Sequence, residues 1–401
     1  MANSIASLVP EFWMAETQKS LFVENKALAI ANTRLENVLT GEGNKVHRTI
    51  ISYPASSTYT PGSDITSDAV TASKETLTVN TWNASRVIID DTEKVQSITE
   101  LGQLCAKRMM KDHNNRIEQA VLAEVSNASW SLDDASVGGT AGNSIVVNTN
   151  TIPQVFIAAD TKLDAIDAPK GGRVAVIGGH FLGQLKLQQA ARATVFGDGV
   201  NSRGVVTNLF GWDILYSNNL PYSATLGIAT KPTNGDTVVV AGVTFTFVTS
   251  IGTTAGNVLI GATAATAVTN LVALINAPAT TTAQGVKLGS DDTFLLRDKR
   301  RLTATDNTTS LALAGYGDIV VSETLTASAD VFSAQLQKSL FLVKGAIDLV
   351  VQIPPKVEVG RIEKQFADNV KSLLGYGKKT YADGAREMVY VPVDAGQSDW
   401  S

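Results

Sequence analysis

Glu93–Asn127 reads EKVQSITELGQLCAKRMMKDHNNRIEQAVLAEVSN, without proline and with one glycine, Gly102. Val95, Ile98, Leu101, Cys105, Met109, Ile117, Val121 and Val125 recur at three- or four-residue steps, or two turns apart across His113. That spacing lays one apolar stripe along a helix. Asp90, Asp91 and Thr92 offer N-cap side chains, and Ser97 with Glu100 has capping-box spacing for a later start. At 1.5 Å per residue the helix would run about 50 Å. Such a length suits the spine of a flat, elongated subunit.

Composition narrows the classes. A chain of 401 residues has room for two or three domains. Hydrophobic residues make up 44%, which argues against wholesale disorder, and charged residues only 18%. The net charge of −5 gives no domain that grips phosphate by bulk charge. Cys105 is the only cysteine, so an internal disulfide or thiolate cluster is excluded. On the apolar stripe it reads as a small buried hydrophobe. MANSIASLVPEFWMAETQ lacks the pattern of a signal peptide, and SLFLVKGAIDLVVQIPP is too short and too charged to span a bilayer. The expectation is a protein made and kept in a cytoplasm, or leaving it without the secretory route, with no membrane contact.

Upstream of the helix, residues 1–44 read as an arm. Phe12, Trp13, Phe22 and Val23 are large apolar groups in a segment too short to fold alone, so they pack on the body or on a neighbour. Val46–Tyr53 and Thr76–Asp90 read as two strands, with PASSTYTPGSDITSDAVTASKE between them. So long a polar connection is unusual within a compact domain and suggests a projecting β-hairpin.

Downstream, SVGGTAGNSIVVNTN breaks the chain, and Thr151 and Pro153 open a helix through Ile166. Val174–Ile177 is a buried strand that turns into a short helix, and Val205–Leu220 alternates as a strand. From Ala224 to Asp330 charges thin out while Thr, Ala, Val and Gly dominate. GDTVVVAGVTFTFVT has hairpin alternation around Ala241-Gly242, and GATAATAVTNLVALINA is a helix stopped at Pro278. Further strands are expected at Phe294–Leu296, Leu302–Ala304 and Ile319–Val321. The segment reads as a self-contained, mainly-β module inserted in a surface loop. After it, Ala346–Gln352 reads as a strand stopped by Pro354-Pro355, Arg361–Leu374 as a helix, and Met388–Val393 as a closing strand.

Chemistry-bearing patterns are scarce. His47, His113 and His180 form no metal spacing, and each reads as structural. There is no G-x-S-x-G elbow. FGDGVNSRG lacks the G-K-[ST] of a P-loop, and IGGHFLG lacks the order of a dinucleotide turn. Asp133-Asp134 and Asp291-Asp292 read as solvated. The sharpest basic cluster is Arg297, Lys299, Arg300 and Arg301, near Asp291, Asp292 and Asp298; a solvated or salt-bridging face between subunits fits it better than a nucleic-acid site. No catalytic, cofactor or metal site is expected. A chain this long with so few catalytic candidates works by shape and contact.

The order of parts resembles the major capsid (coat) proteins of tailed double-stranded DNA bacteriophages, the fold named after phage Hong Kong 97. The stretches that carry the resemblance are EFWMAETQKSLFVENKALAIANTR, the spine helix, and Phe366–Val393 with its Gly-Tyr-Gly turn and closing AREMVYVPV. It covers all but the insertion and rests on order and style, since the family has no short invariant motif. The implied class is α+β: an N-terminal arm (1–44), an extended loop (45–90), a peripheral domain with the spine helix (91–169 and 381–401), an axial domain (170–225 and 331–380), and the inserted β-rich domain (226–330). The resemblance implies self-assembly as hexamers and pentamers into an icosahedral shell. It implies work with a scaffolding protein and a portal, possible binding of a decoration protein, and non-specific contact with packaged double-stranded DNA. The shell would form in the host bacterial cytoplasm and become the virion capsid. Phe12, Trp13, Phe22, Tyr59, Lys74, Arg297, Arg300 and Arg301 are the candidate assembly contacts. Some members cross-link through a loop lysine. Lys74 is the only lysine near the loop tip, and no asparagine or acid matches, so no cross-link is expected. An encapsulin-type shell and a phage tail-tube or sheath protein are the alternatives. An enzyme with a pocket at His180 and Asp160 or Asp164 is the third reading.

Overall fold

The structure is a computed structural model; it describes residues 26–35, 43–96, 101–190, 208–363 and 365–395, apart from 53, 55, 57, 66 and 68. A helical turn, α1 (Ala27–Ile30), precedes β1 (Lys45–Ile51), β2 (Ala72–Thr78) and β3 (Thr81–Asp90). Helices α2 (Asp91–Gln96) and α3 (Leu101–Ala123) follow, then β4 (Trp130–Ser131), α4 (Thr151–Asp164), β5 (Arg173–Ile177) and α5 (Gly179–Ala190). Next come β6 (Asn208–Leu209), β7 (Trp212–Tyr216), β8 (Pro221–Gly227), β9 (Thr237–Val240), β10 (Val243–Val248) and β11 (Asn257–Leu259). Helices α6 (Ala264–Asn276) and α7 (Ser290–Thr293) lead to β12 (Thr303–Asp306), β13 (Ser310–Tyr316) and β14 (Val321–Glu323). The chain closes with β15 (Phe332–Val343), β16 (Asp348–Arg361), β17 (Ala367–Lys379), α8 (Ala382–Arg386) and β18 (Met388–Asp394).

Four sheets result. The nine-stranded sheet runs β12-β13-β8-β15-β5-β7-β6, with β18 on β15 and β4 on β18. A three-stranded antiparallel sheet, β16-β17-β3, lies beside it; β1 and β2 form a hairpin, and β11-β10-β9-β14 form a small sheet. One face of the large sheet buries an aromatic cluster with α4 and α5, in which Phe341 meets Phe156 and Trp212 edge-on, each at 5.2 Å between centroids.

The other face carries the C-terminal half of α3. Ile117, Val121 and Leu122, with Val125 just beyond the helix, pack on Val174, Val176, Leu340, Leu342 and Met388. The N-terminal half packs on the three-stranded sheet through Met109, Ile89 and Val370. The expected single stripe is therefore too simple. Six consecutive residues, Ile117 to Leu122, are buried, because the helix is wedged between two sheets. At the other end Val95 is 86% exposed, while Ile98 lies outside the described residues.

All-round burial forces polar side chains inside, and each needs a partner. Glu118 accepts from Ser217 Oγ and Asn219 Nδ2, each at 2.8 Å, and from the Lys26 backbone N–H at 3.3 Å. Gln119 Nε2 donates to Lys299 O at 3.0 Å. His113 Nε2 meets Ser372 Oγ at 2.9 Å, and burial lowers its pKa. Glu118 thus ties the helix to the start of the described chain and to the β7–β8 loop. Burial pushes its carboxyl above the ordinary value, and the bonds from Asn219 and Ser217 offset that only in part.

Several sequence expectations are corrected. Arg361–Leu374 is not a helix: from Ala367 the chain is β17, paired on both sides. Its period-two buried set is Val370, Ser372, Leu374 and Tyr376, and the polar Ser372, bonded to His113, hides it from a hydrophobicity pattern. Pro354-Pro355 does not stop the preceding strand. β16 runs through both prolines as an edge strand, and two register shifts between Val351 and Lys356 absorb them. Phe294–Leu296 is not a strand, because Phe294–Lys299 forms a π-helical turn with Leu296 fully buried. Thr76–Asp90 is two strands with a corner at Val79-Asn80, so that β2 stays in the hairpin while β3 joins β17. Pro153 is the third residue of α4 rather than the first, still where a helical N–H has no partner.

The 226–330 region has the expected hairpin, with Ala241 and Gly242 both at positive φ, as a two-residue turn requires. Thr263 caps α6 by accepting from Thr266 N. The region is not walled off, however. β12 and β13 extend the large sheet through β8, and Tyr222, Ala224 and Leu226 share a core with Phe245, Phe247 and Leu271. Buried Asp330 closes its neck by accepting from the backbone of Ala229 and Thr230.

Two outcomes are expected from this packing. At the corner a Cβ on Gly377 would lie 2.6 Å from the Thr78 backbone oxygen, whereas one on Gly375 would meet only the movable Trp82 ring. Gly377→Ala should cost about 1–3 kcal/mol in urea unfolding, and Gly375→Ala less. Glu118→Ala, leaving the buried donors Ser217 Oγ and Asn219 Nδ2 without their carboxylate acceptor, should cost roughly 1–3 kcal/mol. The raised Glu118 value means its stabilising contribution is full below the ordinary value of 4.5 and lost as pH rises through the folded value. Glu118→Gln should remove that part of the pH slope, and an unchanged slope between acid and neutral unfolding curves would contradict the assignment.

Candidate assembly surfaces

Among the described residues, the contacts that hold the hairpin lie towards its base. β1 and β2 pair from Lys45↔Thr78 to Ile51↔Ala72. Leu77 and Val46 pack with Val350 and Tyr381, Arg48 pairs with Asp383 and lies over the Tyr381 ring, and Glu75 accepts from Ala382 N. His47 Nδ1 bridges to Thr76 Oγ1 across the strands at 2.8 Å. Beyond the base, Ile51, Tyr59, Ile65 and Val70 are exposed, Ile65 at 77%. Lys74, opposite Thr49, is exposed too.

The second surface is the outer face of the three-stranded sheet. Strand alternation sends Ile89 and Val370 to α3 and leaves Trp82, Ile88 and Leu373 exposed on the far side. Charges between them are paired: Glu358 bridges Lys356 at 2.8 Å and Lys371 at 3.1 Å, and Arg86 donates to Asn369. At the sheet's end Phe366 is 81% exposed.

The basic cluster is split by the turn that carries it. Arg297 pairs with Asp298, which holds its charge firmly. Arg300 is turned inward, donating to Asn218 Oδ1 at 3.0 Å and to Tyr316 O; burial lowers its pKa, and Asp318 offers partial compensation. Lys299 is also lowered by burial and by Arg300. Arg297 and Arg301 instead line a groove of about 770 Å³ with Lys338 and Tyr316.

A groove of opposite sign, about 480 Å³, was not anticipated. Asp167, Asp383, Glu387 and Arg386 line it beside Trp130. Burial, then the charge on Asp383, pushes the Glu387 carboxyl up. No sequence signal marks it, since its carboxylates come from the α4–β5 loop and from α8 and the residue that follows it.

The carboxylates considered for an enzyme are otherwise engaged. Asp160 and Asp164 both pair with buried Arg173, whose guanidinium also donates to the Ala168 and Pro169 carbonyls. Among the described residues no group of three His, Cys, Asp or Glu could hold a metal ion, and no helix is long and apolar enough to cross a membrane. Phe12, Trp13 and Phe22 lie outside the described residues.

No family model matches the chain, and no curated protein matches it in sequence. Solved structures do. One from Mycobacterium phage Che8 superposes with a TM-score of 0.58 at 15% identity, covering 97% of this chain and 98% of that one. The capsid structure of the cyanophage P-SCSP1u gives a TM-score of 0.55 at 13% identity, covering 98% of this chain and 95% of that one. The chain has the α+β fold of phage capsid structures, of the Hong Kong 97 class that its order of parts resembles.

Proposed function

We propose that this chain is the major capsid protein of a tailed double-stranded DNA phage, a structural protein that assembles with copies of itself into the icosahedral shell. The carrying observation is a fold shared with solved phage structures along essentially the whole length. The exposed groups agree with it. A hairpin anchored at its base, and a sheet face bearing Trp82, Ile88 and Leu373, carry apolar surface that copies of the chain can cover. Many weak contacts per subunit then make a stable shell.

In this reading the chain divides as the resemblance implies. Residues 1–44 are the arm and 45–90 the extended loop; the peripheral domain holds α3, the axial domain surrounds the five- and six-fold positions, and 226–330 is the outward module. Hexamers and pentamers form in the host cytoplasm with a scaffolding protein and a portal. The closed shell holds DNA through non-specific contacts, and the module stabilises the subunit or contacts a neighbour or a decoration protein.

Replacing residues 53–71 by a short turn should leave the subunit's melting temperature within a few degrees of the parent. The same change should abolish closed particles in pelleted material viewed by negative-stain electron microscopy. Particles of unchanged yield would contradict the role of the hairpin. Monomers alone from the parent chain, with its scaffolding protein present, would contradict the shell.

A further inference from the structure

The grooves of opposite charge have complementary chemistry. The basic groove has three cations, Arg297, Arg301 and Lys338, and no lining carboxylate. Arg297 is partly neutralised by Asp298 at 3.1 Å. Lys338 lies 5.9 Å from the Tyr390 ring centre, and among the described residues neither it nor Arg301 has a carboxylate partner. In the acidic groove Asp167, Asp383 and Glu387 face one cation, Arg386. Asp383 shares its charge with Arg48, whereas Asp167 is exposed and Glu387 half-buried beside Asp383. An added cation would relieve the crowding of negative charge there.

The grooves cannot satisfy each other within one molecule. Both adjoin β15: Lys338 stands in the basic groove, while Val343 donates its N–H to Glu387 O at 3.1 Å beside the acidic one. Five residues of strand separate those points by roughly 17 Å. A polyanion is a poorer match for the basic groove than an acidic protein surface, since the chain carries a net charge of −5 and only three cations gather here.

We propose that the two grooves are the two halves of one contact between neighbouring copies, the Arg301 and Lys338 side of one meeting the Asp167 and Glu387 side of the next. Because different patches meet, the contact is heterologous and propagates around a ring. The contact rests on the shell reading and specifies one of its joints. Lying at the surface, it sets register and partner choice, and weakens as salt rises.

A charge swap tests it. Four proteins are compared: the parent, Arg301→Glu with Lys338→Glu, Asp167→Lys with Glu387→Lys, and all four changes together. Each pair should reduce assembled, pelletable protein about tenfold or more through like-charge repulsion, and the fourfold variant should regain at least half. Either pair assembling like the parent would overturn the contact, as would a fourfold variant that melts like the parent yet stays unassembled. Should the fourfold variant not fold, carbodiimide coupling of parent particles built from isotope-mixed subunits decides. Lys338 joined to Asp167 or Glu387 of another copy supports the contact, and its absence overturns it. A parent chain that forms no particles counts against the shell itself, whereas parent particles without rescue or coupling count against this joint alone.

Discussion

The burial of α3 between two sheets is the constraint on which the rest depends. A helix against one sheet needs one apolar stripe; a helix wedged between two must be buried all round at the wedge. Leu122 and Val121 meet that demand with hydrocarbon, while Glu118, Gln119 and His113 meet it with hydrogen bonds to the β7–β8 loop, the π-helical turn and β17. These polar side chains are costly to bury, and the hydrogen bonds they make persist only when the elements hold one relative position. The same residues that admit the helix to the interior therefore fix the two sheets against each other.

With that joint made, apolar surface remains exposed among the described residues. The hairpin commits buried Leu77 and half-buried Val46 to its base. Strand alternation commits Ile89 and Val370 to α3, which leaves Trp82 and Leu373 facing out. Among the described residues, an anchored hairpin, an exposed sheet face and two separated grooves of opposite charge are suited to work by contact. Its pattern of engaged carboxylates agrees: Asp160 and Asp164 serve Arg173, and Glu124 serves Lys378 and Thr380.

Much of this fold was legible in the sequence where local and tertiary demands coincide. Alternation at 237–248 and the Ala241-Gly242 turn specify a hairpin that the core also wants, and the apolar run ending before Pro278 specifies α6. Reading failed where a distant partner supplied the missing term. Ser372 is an inward position of β17 only because His113 lies opposite it, and β16 passes two prolines only because it is an edge strand with bulges. The same limit applies to the surfaces. The basic cluster was visible as consecutive residues, but its division into an inward Arg300 and groove-lining Arg297 and Arg301 follows from a π-helical turn. The acidic groove joins loops remote in sequence and left no local pattern.

The central claim is that surfaces exposed in the subunit are covered by copies of the same chain. A cryo-electron microscopy reconstruction of the high-speed pellet tests it most directly. The expected result is a closed shell in which the hairpin of residues 45–78 and the outer face bearing Trp82 and Leu373 are each covered by another copy. A reconstruction in which both surfaces face solvent, or in which the hairpin folds back on its own subunit, would contradict it.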